Sequence, residues 1–114
     1  MITLDGLYNL LSGVCPTWHL ESEGETFPRI VYAETGRAYE SFDGVHKMAY
    51  WAVEIDLFVK EDSHEVFERL ERVLAENEIP FDCDGIHYGE ATFKAGKSHA
   101  GVVWYQLICE VLDV

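Results

Sequence analysis

Of the side chains able to do chemistry, five histidines and three cysteines stand first. His19, His46, His64, His87 and His99 are spread singly, and no two have the i, i+4 spacing by which a helix presents a metal-binding pair. Each reads as a surface or hairpin residue. Cys15, Cys83 and Cys109 are an odd set without a CxxC pair, which fits neither a disulfide framework nor a zinc site and points to a reducing compartment. Cys109 reads as a small core residue. Asp82, Asp84 and Gly85 begin like a calcium loop, but no acid stands at the later bidentate position, so the segment reads as a turn. Glu54, Asp56 and Glu110 have the alternate-position spacing that lets carboxyl groups converge on one sheet face for acid–base work, although a solvated or interfacial strand face is the plainer reading. GxSxG, a glycine-rich phosphate loop and a Ser, His, Asp arrangement are all missing. The expectation is a protein without catalytic residues, metal or cofactor.

The positioning scaffold is a single domain over residues 1–114, with a mass of 13.0 kDa. Twenty-one acids against eight lysines and arginines leave a net charge of −13, which disfavours any role resting on phosphate neutralisation. With 48% apolar and 13% aromatic residues, the chain has too much to bury to be disordered. No apolar run approaches the ~20 residues needed to span a bilayer. MITLDGLYNLLSG at the start carries no basic leader, so a soluble cytoplasmic protein without a signal peptide is expected.

Leu4, Leu7, Tyr8 and Leu11 recur at helical spacing, with Thr3 as N-cap, Ile2 and Leu7 as a hydrophobic staple and Gly13 as a stop. CPTWHLESEGETFP has no period and reads as a surface connection. RIVYAE, 29 to 34, is β-branched and aromatic and predicts a strand; TGRAYESFDGVH, 35 to 46, reads as a long loop or an extended hairpin tip. From Met48 to Lys60 the period is 2, with Ala49, Trp51, Val53, Ile55, Leu57 and Val59 on one face. Asp62 and Glu65 have the form of a capping box before a second helix whose stripe is Val66, Phe67, Leu70, Val73 and Leu74. Glu65–Arg69 and Glu68–Arg72 form exposed i, i+4 pairs on it, and Asn77 and Pro80 end it. IHYGEATF, 86 to 93, and VVWYQLICEVL, 102 to 112, are two further strands joined by KAGKSHAG.

These elements predict an α+β fold of order α-β-β-α-β-β: a four-stranded antiparallel sheet with two helices on one face. The odd face of the last strand (Val103, Tyr105, Leu107, Cys109, Val111) matches the odd face of the period-2 strand. The opposite sheet face mixes Met48, Tyr50, Phe58, Trp104, Ile108 and Leu112 with Glu54, Asp56, Gln106 and Glu110, and its apolar share calls for cover by the chain's own loops or by a neighbouring subunit.

Four stretches, FPRIVY (27–32), YWAVEIDLF (50–58), SHEVFERLERVLAENEIPF (63–81) and YQLICEVLDV (105–114), together resemble in order and spacing the small tail-completion proteins of long-tailed bacteriophages and prophages. These are also described as head-tail joining or tail-terminator proteins. The resemblance departs from the family's usual look at TGRAYESFDGVHK and at CDGIHYGEATFKAGKSHAG. It implies a structural, non-enzymatic protein of the virion tail, assembled in the host bacterial cytoplasm. Such a protein caps the tail tube as a ring, usually six-fold, and offers a surface to the head connector. The implied partners are other copies of itself, the tail tube protein and the connector protein, without nucleic-acid or membrane contact. Arg37, Tyr39, Phe42 and Lys47, loop aromatics and rare cations, are the expected interface residues, because ring contacts between identical acidic subunits need a positive or apolar complement. The alternative, taken from the charge, is an acidic DNA-mimic inhibitor of a nucleic-acid enzyme.

Overall fold

The computed structural model describes residues 2–21, 26–42, 46–60, 64–92 and 98–113, with side chains at 40–42, 46–47, 90–92 and 98–100 left aside. Seven elements follow in order: α1 (Leu4–Val14), β1 (Thr17–His19), β2 (Arg29–Phe42), β3 (His46–Val59), α2 (Glu65–Glu76), β4 (Phe81–Thr92) and β5 (Ser98–Asp113). The fold is α+β, but the sheet has five strands in the order β1-β2-β3-β5-β4 and is mixed, because β1 pairs parallel to β2. The expected four antiparallel strands are β2 to β5; the strand missed lies inside the supposed surface connection.

The central ladder explains the two-layer arrangement. Val53, Ile55, Leu57 and Val59 of β3 stand opposite Cys109, Leu107, Tyr105 and Val103 of β5, so both odd faces point the same way. Leu7, Leu11 and Val14 of α1 and Phe67, Leu70 and Leu74 of α2 join this set in one core, which puts both helices on that face. Leu7, Leu11, Leu70 and Leu74 are fully buried, each contributing roughly 1.5–3 kcal/mol by removal from water. Tyr8, expected on the stripe, is 42% exposed and lies beside Tyr32 instead.

Thr3 caps α1 as expected, accepting from the Gly6 amide, but Gly13 sits inside the helix and Cys15 ends it. A Cβ at Gly6 would stand 2.5 Å from Ile2 Cγ1, so the glycine lets the Ile2 side chain lie against the first turn. The C-terminal carbonyl of α1 is satisfied from α2: Arg69 Nη2 donates to Val14 O at 2.6 Å, where a cation also suits the helix dipole. Arg69 thus ties α2 to the end of α1. The capping-box residue Asp62 lies outside the described residues; the N-cap is His64, which makes no side-chain cap and meets Tyr105 Oη at 2.6 Å through Nδ1.

Pairing across the sheet settles two further segments. Residues 35 to 42 continue β2 past a bulge at Glu34/Gly36, so of the two expected forms, loop or extended hairpin, the hairpin is the one adopted. The supposed turn at Asp82–Gly85 belongs to β4, which starts at Phe81 and absorbs the polar run in a bulge at Cys83/Gly85. At the first residue of β2, Arg29 is fully buried: Nε donates to Thr26 O at 2.6 Å, and its guanidinium lies 5.2 Å from the Trp18 ring centre and 5.4 Å from that of Phe27. This clasp covers one end of the outer sheet face with the chain's own residues.

The β2–β3 hairpin runs past the end of β5, and the β4–β5 hairpin runs past the end of β3 in the opposite direction. The molecule measures 52 × 27 × 22 Å, and its radius of gyration of 15.1 Å exceeds the roughly 13 Å of a compact chain of this length.

Burial separates the thiols. It pushes Cys15 up to about 11 and Cys109 up to about 12, whereas Cys83 is exposed. At pH 8 a thiol-reactive dye is expected to label one cysteine per folded chain, Cys83, and all three after denaturation; rapid native labelling of Cys109 would contradict the core as described.

Candidate functional site

The outer sheet face gathers titratable groups from three strands. Asp56 and Glu54 project from it because they alternate with the buried Ile55 on β3. On β5, Gln106 stands opposite Asp56, Ile108 opposite Glu54 and Trp104 opposite Phe58, and the Cys83/Gly85 bulge brings His87 of β4 beside Trp104. The Trp104 indole N–H donates to Asp56 Oδ1 at 2.9 Å, and Gln106 Nε2 donates to Glu54 Oε1 at 2.6 Å. His87 Nε2 lies 3.2 Å from Gln106 Oε1; an amide oxygen only accepts, so that nitrogen carries the proton. The rings of His87 and Phe58 lie on Trp104, with centroid distances of 4.6 and 5.7 Å.

Burial pushes Asp56 up to about 7, against the pull of the indole hydrogen bond, while the neighbouring Glu54 carboxylate adds to the rise and His87 opposes it. A carboxyl group able to exchange a proton near neutrality is a chemical asset. Here Asp56, Glu54, Gln106 and His87 are tied to one another and to Trp104 across three strands. Glu110, the third acid of the expected set, stands opposite Ala52, is exposed, and enters none of these hydrogen bonds.

The expected interface residues lie elsewhere, on the β2–β3 hairpin, with Arg37 and Tyr39 on the helix-bearing face. Arg37 forms an ion pair with Asp113, and its guanidinium sits 4.2 Å from the Trp51 ring centre and 5.6 Å from that of Tyr39. Tyr39 is 63% exposed. Trp51 and Asp113 also line an open cleft with Thr3, Leu4, Asp5 and Leu112 at the start of α1. Phe42 and Lys47 pair along the same hairpin, with His46 and Ser41, and their side chains lie outside the described ones. The structure therefore brings Arg37 and Tyr39 together.

Periodicity placed Trp104, Gln106, Glu54 and Asp56 on one face, but it missed His87, whose face depends on the bulge. Asp113 was missed as the partner of Arg37 because 76 residues separate them. Among the described residues no group of three or more His, Cys, Asp or Glu is arranged to hold a metal ion, and no helix is long and apolar enough to cross a membrane.

The folded chain holds the Asp56 proton up to about 7, while the unfolded chain releases it near 4, so stability falls as pH rises through that interval and levels off above it. Asp56→Asn is expected to abolish this fall and, allowing for solvent screening at a partly exposed site, to be more stable than the parent by about 1 kcal/mol at pH 8. Urea unfolding at pH 5 and pH 8 checks it, and the pH-dependent part of the Trp104 fluorescence should vanish in the same variant.

No protein-family model matches the chain, and no curated protein sequence matches it.

Proposed function

We propose that this chain is a structural tail-completion protein of a long-tailed phage or prophage, which caps the tail tube as a ring, six-fold as in such proteins generally, and presents a surface to the head connector. The observation that carries this reading is the correspondence between resemblance and architecture. The four stretches similar to that family fall on β2, β3, α2 and β5, the elements that build the core, while its departures fall on the hairpin arms. The outer sheet face supports the same role, since its polar groups satisfy one another and leave Ile108 exposed among acids. Partners in this reading are further copies of the chain, the tail tube protein and the connector protein; the site of action is the virion tail.

A DNA mimic needs an unbroken row of carboxylates, and the exposed side of α2 interrupts Glu65, Glu68 and Glu76 with Arg69 and Arg72. The charge alone favours that alternative less than the mixed surface favours a subunit.

Deleting the gene from its prophage is expected to yield unjoined heads beside tails of uncontrolled length in electron micrographs; normal virions would refute the proposal. Arg37→Glu with Tyr39→Ala is expected to lower ring formation on purified tails at least tenfold while the circular dichroism spectrum stays that of the parent. Unchanged rings would remove these two residues from the interface.

A further inference from the structure

Beyond the three-residue end strand β1, two long strand edges of this sheet carry no strand partner among the described residues. β4 is paired on one side only, along 12 residues or about 40 Å. β2 is covered by β1 only at Ile30–Tyr32, so from Ala33 to Phe42 its outer side carries no strand. A row of unpaired amides and carbonyls of this length is a template for another extended segment.

We infer that these edges are the two halves of one contact between copies of this chain: β4 of one subunit pairs antiparallel with the open stretch of β2 of the next. Direction favours this match. Each of the pairs β2–β3, β3–β5 and β5–β4 is antiparallel, so β2 and β4 run oppositely, and copies placed side by side with the same face outward continue the sheet in its prevailing sense.

Side chains favour it as well. Ile86 and Tyr88 of β4 pair with Tyr105 and Val103, and Tyr39 of β2 pairs with Ala49, so all three belong to the helix-bearing face. They are 41%, 64% and 63% exposed, unusual values for apolar residues beside a sheet edge. Joining the edges puts them together.

Charge selects β2 over a second β4. The charged residues of β4 are Asp82, Asp84 and Glu90, with no lysine or arginine, so a two-fold β4–β4 contact would set acids against acids. The open stretch of β2 sets Arg37 beside Glu34 and Glu40 and is the less acidic of the two edges. A contact between two different edges is heterologous and propagates, so copies close into a ring or extend as a filament. This inference rests on the ring proposed above and specifies how its subunits join.

The test uses two variants of the full chain, each altered at exposed positions: Ile86→Asp with Tyr88→Asp on β4, and Tyr39→Asp on β2. Sedimentation velocity at protein concentrations up to about 1 mM reads the assembly state, and circular dichroism verifies the fold. The parent is expected to form higher oligomers. Each variant alone is expected to associate at least tenfold more weakly, and an equimolar mixture to stop at a one-to-one dimer, because one intact β4 and one intact β2 edge remain. If Tyr39→Asp leaves a dimer that the β4 variant destroys, the contact is β4 on β4 and the inference fails. Parent-like assembly of both variants overturns the edge assignment while leaving a ring standing, and a parent that stays monomeric throughout the range overturns the inferred contact, whereas the ring itself stands or falls on the particles of the deletion strain.

Discussion

The register of β3 against β5 is the constraint from which the rest of this molecule follows. Four pairs, Val53–Cys109, Ile55–Leu107, Leu57–Tyr105 and Val59–Val103, set two apolar rows side by side, and a slip of one residue would send one row to the opposite face. With the rows aligned, there is one apolar surface for α1 and α2 to share. Tyr105 shows how closely the layers are joined: its ring stacks on Phe67 at 4.4 Å, and its hydroxyl meets His64 at the start of α2. The Arg69 bond to the end of α1 ties the two helices to each other as well as to the sheet.

The same alternation creates the outer face. Because Ile55 and Leu57 are buried, Glu54 and Asp56 point away from the helices, toward Gln106 and Trp104. Partial burial there raises the cost of charge, and the structure meets it by hydrogen bonds across strands rather than by cations. In a chain with net charge −13, Arg29 lies between aromatic rings, Arg37 pairs with Asp113, and Arg69 serves a helix end.

The hairpin arms follow from lengths rather than from core packing. β2 and β3 outrun β5 at one end, and β4 and β5 outrun β3 at the other, so each arm is a two-stranded ribbon beyond the cover of the helices. Such ribbons leave strand edges and aromatic side chains accessible. That geometry suits a subunit whose neighbours finish its sheet.

How much of this was legible in the sequence depended on whether the signal was local. Period 2 from Met48 to Lys60 and in the last strand, and helical spacing around Leu7, Leu11, Phe67, Leu70 and Leu74, determined the element types, the core and the two-layer α+β arrangement, because a repeating pattern of burial needs only neighbouring residues to express it. Three residues of β1 carry too few repeats to reveal a strand, and β1 exists because Thr17–His19 finds Ile30–Tyr32 to pair with. The bulges at Glu34/Gly36 and Cys83/Gly85 reset which residues face the helices, so the placement of Arg37, Tyr39 and His87 was settled only by pairing with strands distant in sequence. The Arg37–Asp113 ion pair and the Asp56 network likewise belong to the tertiary structure, since neither partner set shares a local segment and only the assembled sheet brings the groups within reach.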